Sequence, residues 1–177
     1  MHFARVAFKN VLKRDDLEMH MVYDVAHNIA KLEKHVVDGV EREYIVHRKG
    51  ATRSFAPGRA EIPAKYREIG QPVLIGGSMG TASYILIGTQ RNEVFGSTCH
   101  GAGRTMSRSK AIKELNADDI KNDLSGRGIQ LRAANNKTVV EEAAETYKDV
   151  EQVVQACEVV GLSARVARLV PLGVIKG

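Results

Sequence analysis

Apolar positions along the chain change their spacing several times, and each change predicts an element. Phe3, Ala7, Val11 and Leu12 recur at helical spacing, which predicts a helix over residues 2–14. Residues 20–24 and 29–47 read as strands, with Asp38-Gly39 as the hairpin turn of the longer run. Residues 53–65 hold Pro57, Gly58 and Pro63 and read as a loop. Two apolar runs, residues 73–75 and 84–87, flank a glycine-rich loop, and a helix is expected after Gly103. Residues 116–135 are weakly patterned.

The last third is patterned more sharply. Thr138-x-x-Glu141 has the form of a capping box and predicts a helix running to about residue 146. Asp149-x-x-Gln152 opens another, with Val150, Val153, Val154, Cys157 and Val160 on one face and Gly161 as its stop. A final strand is expected over residues 162–170. The mixture predicts an α+β fold in one compact domain, residues 1–177, since no repeat, low-complexity tract or linker marks a boundary.

Composition narrows the class. A chain of 177 residues can bury a proper core, and 44% apolar with 27% charged residues is ordinary for a globular protein. No apolar stretch approaches the roughly 18 residues of a membrane span. The start shows no basic region followed by an apolar block, and Cys99 and Cys157 make no disulfide framework, so a cytoplasmic protein is expected. Charge adds a direction. Residues 47–110 hold ten Lys or Arg against three Glu, a local excess of +7, while the remainder holds 16 basic and 18 acidic residues. Concentrated positive charge suits a polyanion such as nucleic acid or nucleotide, and equally a solvated basic face.

Four segments could carry chemistry. In Asp24-Val25-Ala26-His27-Asn28 a histidine following an apolar strand could bind a transition metal, although one imidazole is more often structural. In His47-Arg48-Lys49-Gly50-Ala51-Thr52-Arg53, three cations at a strand end could hold phosphates or form an exposed basic turn. In Gly76-Gly77-Ser78-Met79-Gly80-Thr81-Ala82-Ser83, consecutive amides could form an anion-binding nest, with hydroxyls beside them. The loop lacks the Gly-Lys-Ser/Thr ending of a Walker A motif. In Ser97-Thr98-Cys99-His100-Gly101-Ala102-Gly103-Arg104, a histidine among small residues is open to a bulky electrophile, and imidazole nitrogen can form a covalent intermediate. Arg104 could neutralise phosphoryl charge. Nothing beside Cys99 settles its pKa, so it is read as structural.

Taken together, these segments resemble the RtcB family of RNA-splicing ligases. The resemblance runs from His2-Phe3 to Gly177. It rests on Tyr23-Asp-Val-Ala-His-Asn-Ile-Ala-Lys31, His47-Arg-Lys-Gly-Ala-Thr-Arg53, Gly77-Ser-Met-Gly-Thr-Ala-Ser-Tyr84, the Ser97 to Arg108 block and Pro171-Leu-Gly-Val-Ile-Lys-Gly177. The resemblance implies joining of an RNA 3′-phosphate or 2′,3′-cyclic phosphate end to a 5′-hydroxyl end, as in tRNA splicing and RNA repair, with GTP as cosubstrate and manganese as cofactor. It implies that His100 takes GMP from GTP and passes it to the RNA 3′-phosphate, after which the 5′-hydroxyl displaces GMP. His27 is similar to a manganese ligand. Asn28, Gly76, Gly77, Ser78, Met79, Ser83, Gly101, Ala102, Gly103 and Lys176 fall on guanylate-binding positions, and Tyr147 on one where an aromatic ring stacks on guanine. Lys49 and Arg104 match positions needed for catalysis.

Two departures stand out. Gly76 occupies the place of the family's usual proline. The family's N-terminal region, with its Asp-x-x-Cys segment and further histidines, has no counterpart here. The chain is therefore expected to be a fragment, a split gene product or a piece of a longer precursor. It is expected to be inactive alone, and its partners are RNA (tRNA halves), GTP and that missing region. The competing classes are a non-catalytic guanine-nucleotide or RNA-binding fragment and a metal-dependent phosphohydrolase, the latter short of ligands.

Overall fold

A computed structural model describes residues 2–176. Helix α1, His2–Leu12, ends where Lys13 takes a positive φ of 54°, short of the expected residue 14. It buries none of its residues, leaving Phe3 86% and Val11 79% exposed. Residues 20–24 form no strand, contrary to the reading of their apolar pattern. A strand needs a neighbour to take its main-chain groups, and the hold on this segment is instead the Tyr66 hydroxyl donating to the Val22 carbonyl at 2.5 Å.

β1, Asn28–Val37, and β2, Val40–Lys49, form the expected hairpin in antiparallel register, with Asn28 opposite Lys49. Asp38 and Gly39 both have positive φ, 51° and 75°, as a two-residue turn matching strand twist requires. β3, Ala51–Arg53, follows at once. β4, Pro72–Ile75, and β5, Ser83–Gly88, are the two apolar runs and pair antiparallel on either side of the glycine-rich loop. β6, Ser97–Cys99, pairs with β3.

Helices α2, Arg108–Glu114, and α3, Ala117–Gly126, come next, followed by β7, Gln130–Ala133. The weakly patterned stretch thus folds into a helix and a strand, because the Asn116 side chain caps α3 and β7 finds a partner far along the chain. α4 is Asn136–Glu141. Its cap is Asn135, which accepts from the Thr138 amide at 2.9 Å, so Thr138 lies inside the first turn and is not the capping residue. The helix stops at Glu141, short of residue 146, where the bonding pattern tightens: the Ala143 amide donates to the Val140 carbonyl (3.3 Å) and the Thr146 amide to the Ala143 carbonyl (3.1 Å), and Ala144–Thr146 form a single 3-10 turn. α5, Val150–Val159, begins at the expected Asp149 cap and ends before Gly161, whose φ is 76°. It buries Val150, Val154 and Cys157, while Val160 lies past its end, 58% exposed. β8, Ser163–Leu169, adds to β5, and β9, Gly173–Lys176, pairs parallel with β7.

Two apolar clusters result. One packs α5 on the β4–β5–β8 sheet through Val73, Ile75, Tyr84, Leu86 and Val154. The other gathers Ala111, Leu124, Val139 and Val140 from α2, α3 and α4, with Ile129 from the turn before β7. The glycine-rich loop ties them together, with Ala82 in the first and Met79 in the second.

The hairpin is fastened by charge. Arg48 and Glu33, 2% and 4% exposed, form a two-pronged ion pair at 2.8 and 2.7 Å. Arg48 also donates to the Ser97 hydroxyl at 2.9 Å and the Phe95 carbonyl at 2.8 Å, and so joins β1 and β2 to the start of β6. Burial alone would raise the Glu33 pKa, but hydrogen bonds from Arg48 and His35 outweigh it and hold the carboxyl below its ordinary value. Arg48→Met should lower the unfolding free energy by about 3–5 kcal/mol, since Glu33 would stay buried without its partner; denaturant titration measures it. A carboxyl whose folded pKa is depressed stabilises above its unfolded pKa and loses that contribution as pH falls through the folded value. Stability should therefore drop on acidification below about pH 4, and Glu33→Gln should show a shallower acid limb.

Candidate functional site

Three backbone connections build the centre of the site. The β3–β6 register sets Ala51 opposite Cys99, which brings Gly50 beside His100. A side chain on Gly50 would lie 3.9 Å from the His100 ring, and its φ of 71° already disfavours one. The Gly50 amide donates to the His27 carbonyl at 3.0 Å. As a result the His27 and His100 rings stack, with centroids 4.4 Å apart and planes 17° apart. Asn28 and Lys49 are cross-strand partners immediately beside them, and both are exposed. His100 is also exposed, yet partial desolvation and then the neighbouring His27 lower its pKa. The neutral imidazole, with a free lone pair, is the favoured form.

The glycine-rich loop is stitched to this pair. Gly76 donates to the His100 carbonyl and accepts from the Ala102 amide, both at 3.2 Å, in a bridge with Gly101. Gly77 allows the loop to close, since a Cβ there would fall 2.0 Å from the Ala82 carbonyl oxygen. The nest expected from the sequence is largely filled from within. The Gly77 amide donates to Ser83 Oγ at 3.2 Å and the Ser78 amide to Thr81 Oγ1 at 2.7 Å. Met79 is 2% exposed as a whole residue and packs into the second apolar cluster, so it presents no surface to a ligand.

Beyond Gly103, whose carbonyl accepts from the Lys148 amide at 2.9 Å, the site continues to Arg104. Its guanidinium lies over the Tyr147 ring at 4.9 Å, with Nη1 donating to the Tyr147 hydroxyl at 3.1 Å and Nε to the Met106 carbonyl at 3.0 Å. Arg104 Nη2 is buried and has no hydrogen-bond partner among the described residues. Such a donor is satisfied only by an added acceptor, a water or an anion. Glu142 holds the group together. It accepts from the Tyr147 hydroxyl at 2.9 Å and Lys176 Nζ at 3.3 Å, and lies 3.7 Å from Arg104. Burial, then the hydrogen bond to Glu142, raises the Tyr147 pKa. Sequence reading singled out Tyr147, Arg104 and Lys176 but missed Glu142. Nothing in the run Glu141-Glu142 distinguishes the two without the fold.

Two expected phosphate-holding cations lie elsewhere. Arg48 is consumed by Glu33, and Arg53 donates to Gln71 at 3.1 Å while stacking on Phe55 at 4.7 Å, which leaves Lys49 as the cation of that segment without a partner among the described residues. A cavity of about 140 Å³, lined in part by Asp24, Arg48, Arg53 and Gln71, borders the His27 segment but includes neither imidazole. Among the described residues no three His, Cys, Asp or Glu side chains gather into a metal site, and His27 is a single donor, so the residues present do not make a manganese site. No helix among the described residues is long and apolar enough to cross a membrane.

Comparison with known proteins gives one family. The profile described as tRNA-splicing ligase RtcB matches residues 1–177. The chain is similar to "tRNA-splicing ligase RtcB" of Thermococcus kodakarensis, at 53% identity over 99% of this chain and 37% of that protein. The same name belongs to relatives in Methanococcus maripaludis, 51% identical over 99% of this chain and 38% of the relative, and in Pyrococcus horikoshii, 54% identical over 99% and 21%. The chain thus spans between about a fifth and two fifths of the curated relatives it matches.

The geometry makes two predictions. Glu142→Gln removes the charge that raises the Tyr147 pKa, so the Tyr147 phenol should titrate lower in the variant; an NMR titration of its ring signals reads the shift, and an unmoved or higher value contradicts the assigned hydrogen bond. Isothermal calorimetry of this chain with manganese should show no tight stoichiometric binding at millimolar metal or below, because affinity requires several ligands held together.

Proposed function

This chain belongs to the tRNA-splicing ligase RtcB family, and from that premise we propose that it carries the guanylyl-transfer half of an RNA ligase, with His100 as the nucleophile. The observation that carries the reading is the His27–His100 stack, 4.4 Å between centroids, seated between Gly50 and the Gly76–Gly101 bridge. Glycines on both sides leave the imidazole open to a bulky phosphoryl group.

In the proposed reaction an imidazole nitrogen bonds to the α-phosphorus of GTP as the phosphorus–oxygen bond to pyrophosphate breaks. The lowered His100 pKa supports this role, because only the neutral ring can attack. Lys49 and Arg104 are the cations for the phosphoryl charge, and the unpartnered Arg104 Nη2 supports an anionic ligand at that end. Asn28, Gly76, Gly77, Ser78, Ser83, Gly101, Ala102, Gly103 and Lys176 line the path of the guanylate, with Met79 packed in the core beneath the loop and Tyr147 as the aromatic face for the base. The guanylate then passes to an RNA 3′-phosphate, the chain's substrate class being RNA with 3′-phosphate or 2′,3′-cyclic phosphate ends, tRNA halves among them. A 5′-hydroxyl finally displaces GMP.

The manganese of this reading, two ions in the complete enzyme, must draw its other ligands from outside this chain, His27 supplying one. Exposed apolar side chains support a further covering region: Phe3 is 86%, Leu172 84% and Ile175 87% exposed. The remaining length of the relatives is the natural source of that region.

With that region supplied, incubation with labelled GTP and manganese should label His100, read by gel and peptide mapping. His100→Ala should abolish labelling and ligation. Lys49→Ala and Arg104→Ala should slow labelling by on the order of 10²–10³ without removing the attachment site, and Cys99→Ala should be milder. Label on Cys99 or a lysine, or label that persists in His100→Ala, overturns the mechanism. Bound but never covalent nucleotide would instead make the chain a nucleotide-binding fragment.

A further inference from the structure

The residue before His100 is one of two thiols in contact. Cys99 Sγ, at the end of β6, lies 3.5 Å from Cys157 Sγ on the buried face of α5, 58 residues away in the chain. Both are free. Cys157 is 6% exposed, and its sulfur also accepts from Thr98 Oγ1 at 3.6 Å. Cys99 is half-buried, so solvent reaches the pair from its side. Neither thiol takes part in the transfer chemistry described above.

We propose that Cys99 and Cys157 form an oxidisable pair whose disulfide displaces His100. The oxidant is a peroxide. The Cys157 sulfur, whose thiolate is favoured by the donor Thr98 Oγ1, attacks one peroxide oxygen; the sulfur–oxygen bond forms, the oxygen–oxygen bond breaks and water leaves, giving a sulfenic acid. Cys99 sulfur then attacks that sulfur; the disulfide bond forms, the sulfur–oxygen bond breaks and a second water leaves. The two thiols are oxidised by two electrons in total, and peroxide is reduced to water.

A disulfide holds its sulfurs at about 2.05 Å, so the pair must close by roughly 1.5 Å. α5 is fixed in the apolar cluster by Val150 and Val154, whereas β6 is short, Ser97–Cys99. The strand end therefore moves more readily than the helix. His100 is its next residue, and both the ring stack on His27 and the hydrogen bond to Gly76 depend on its position. The bond itself follows from the thiol geometry; its consequence for transfer rests on the function proposed above.

The bond is tested on this chain alone. Hydrogen peroxide should remove both free thiols together in a monomer, with peptide mapping joining Cys99 to Cys157 and dithiothreitol restoring both. Thiols that persist, separate over-oxidation, or only intermolecular links overturn the proposal. The consequence is tested after the missing region is supplied. Oxidation should lower His100 labelling by on the order of 10- to 100-fold, dithiothreitol should restore it, and Cys157→Ser should label normally and resist peroxide. An intact labelling rate in the mapped disulfide form, or a loss that Cys157→Ser shares, overturns the coupling to His100. A complete absence of labelling before oxidation counts against the ligase reading and leaves the thiol result standing.

Discussion

Arg48 is the residue on which the arrangement of the site depends. It reaches Glu33 across the hairpin, Ser97 at the start of β6 and Phe95 in the turn before it, so one buried guanidinium fixes three strands relative to one another. A buried ion pair is not by itself a large source of stability, since desolvation offsets most of its attraction. Its value here is directional. The planar fork accepts only one placement of its partners, and that placement sets Gly50 beside His100 and carries His27 onto the same spot.

The rest of the site is held by main chain more than by side chains. His100 is positioned through its carbonyl, which takes the Gly76 amide, and through the β3–β6 register just before it. That leaves the imidazole free of structural duty. The glycine-rich loop has the opposite character. It fills its own amides with Thr81 and Ser83 and roots Ala82 and Met79 in separate apolar clusters. The loop is therefore a rigid strut between two cores that also faces the histidines. At the far end, Glu142 collects Tyr147, Lys176 and Arg104, so the aromatic face and the cations stand in one network.

Much of this was legible in the sequence. The Asp38-Gly39 hairpin, the two apolar runs around the glycine loop, the Asp149 cap and the Gly161 stop are local signals, and local backbone chemistry decides them. The blocks around His27, Lys49, the 76–83 loop and His100 could be marked because unusual residue types cluster in short windows. The α4 cap was misplaced by one plausible motif competing with another: Asn135 and Thr138 both qualify, and only the observed backbone shows that Asn135 is extended while Thr138 is already helical.

What the sequence could not supply depends on partners distant in the chain. Residues 20–24 had a strand-like pattern but no strand to pair with, whereas β7 looked unpatterned and pairs with β9 some forty residues later. Arg48 and Lys49 are neighbours of like charge, and nothing local tells which is buried; the answer comes from Glu33, on the facing strand. Glu142 and Cys157 acquire meaning only because Tyr147, Lys176 and Cys99 are folded against them. Sequence by itself determined the locally coded elements and the residue types that chemistry would need. Tertiary structure decided which charges are spent on holding the fold and which stay available, because burial and pairing are properties of contacts that span the chain.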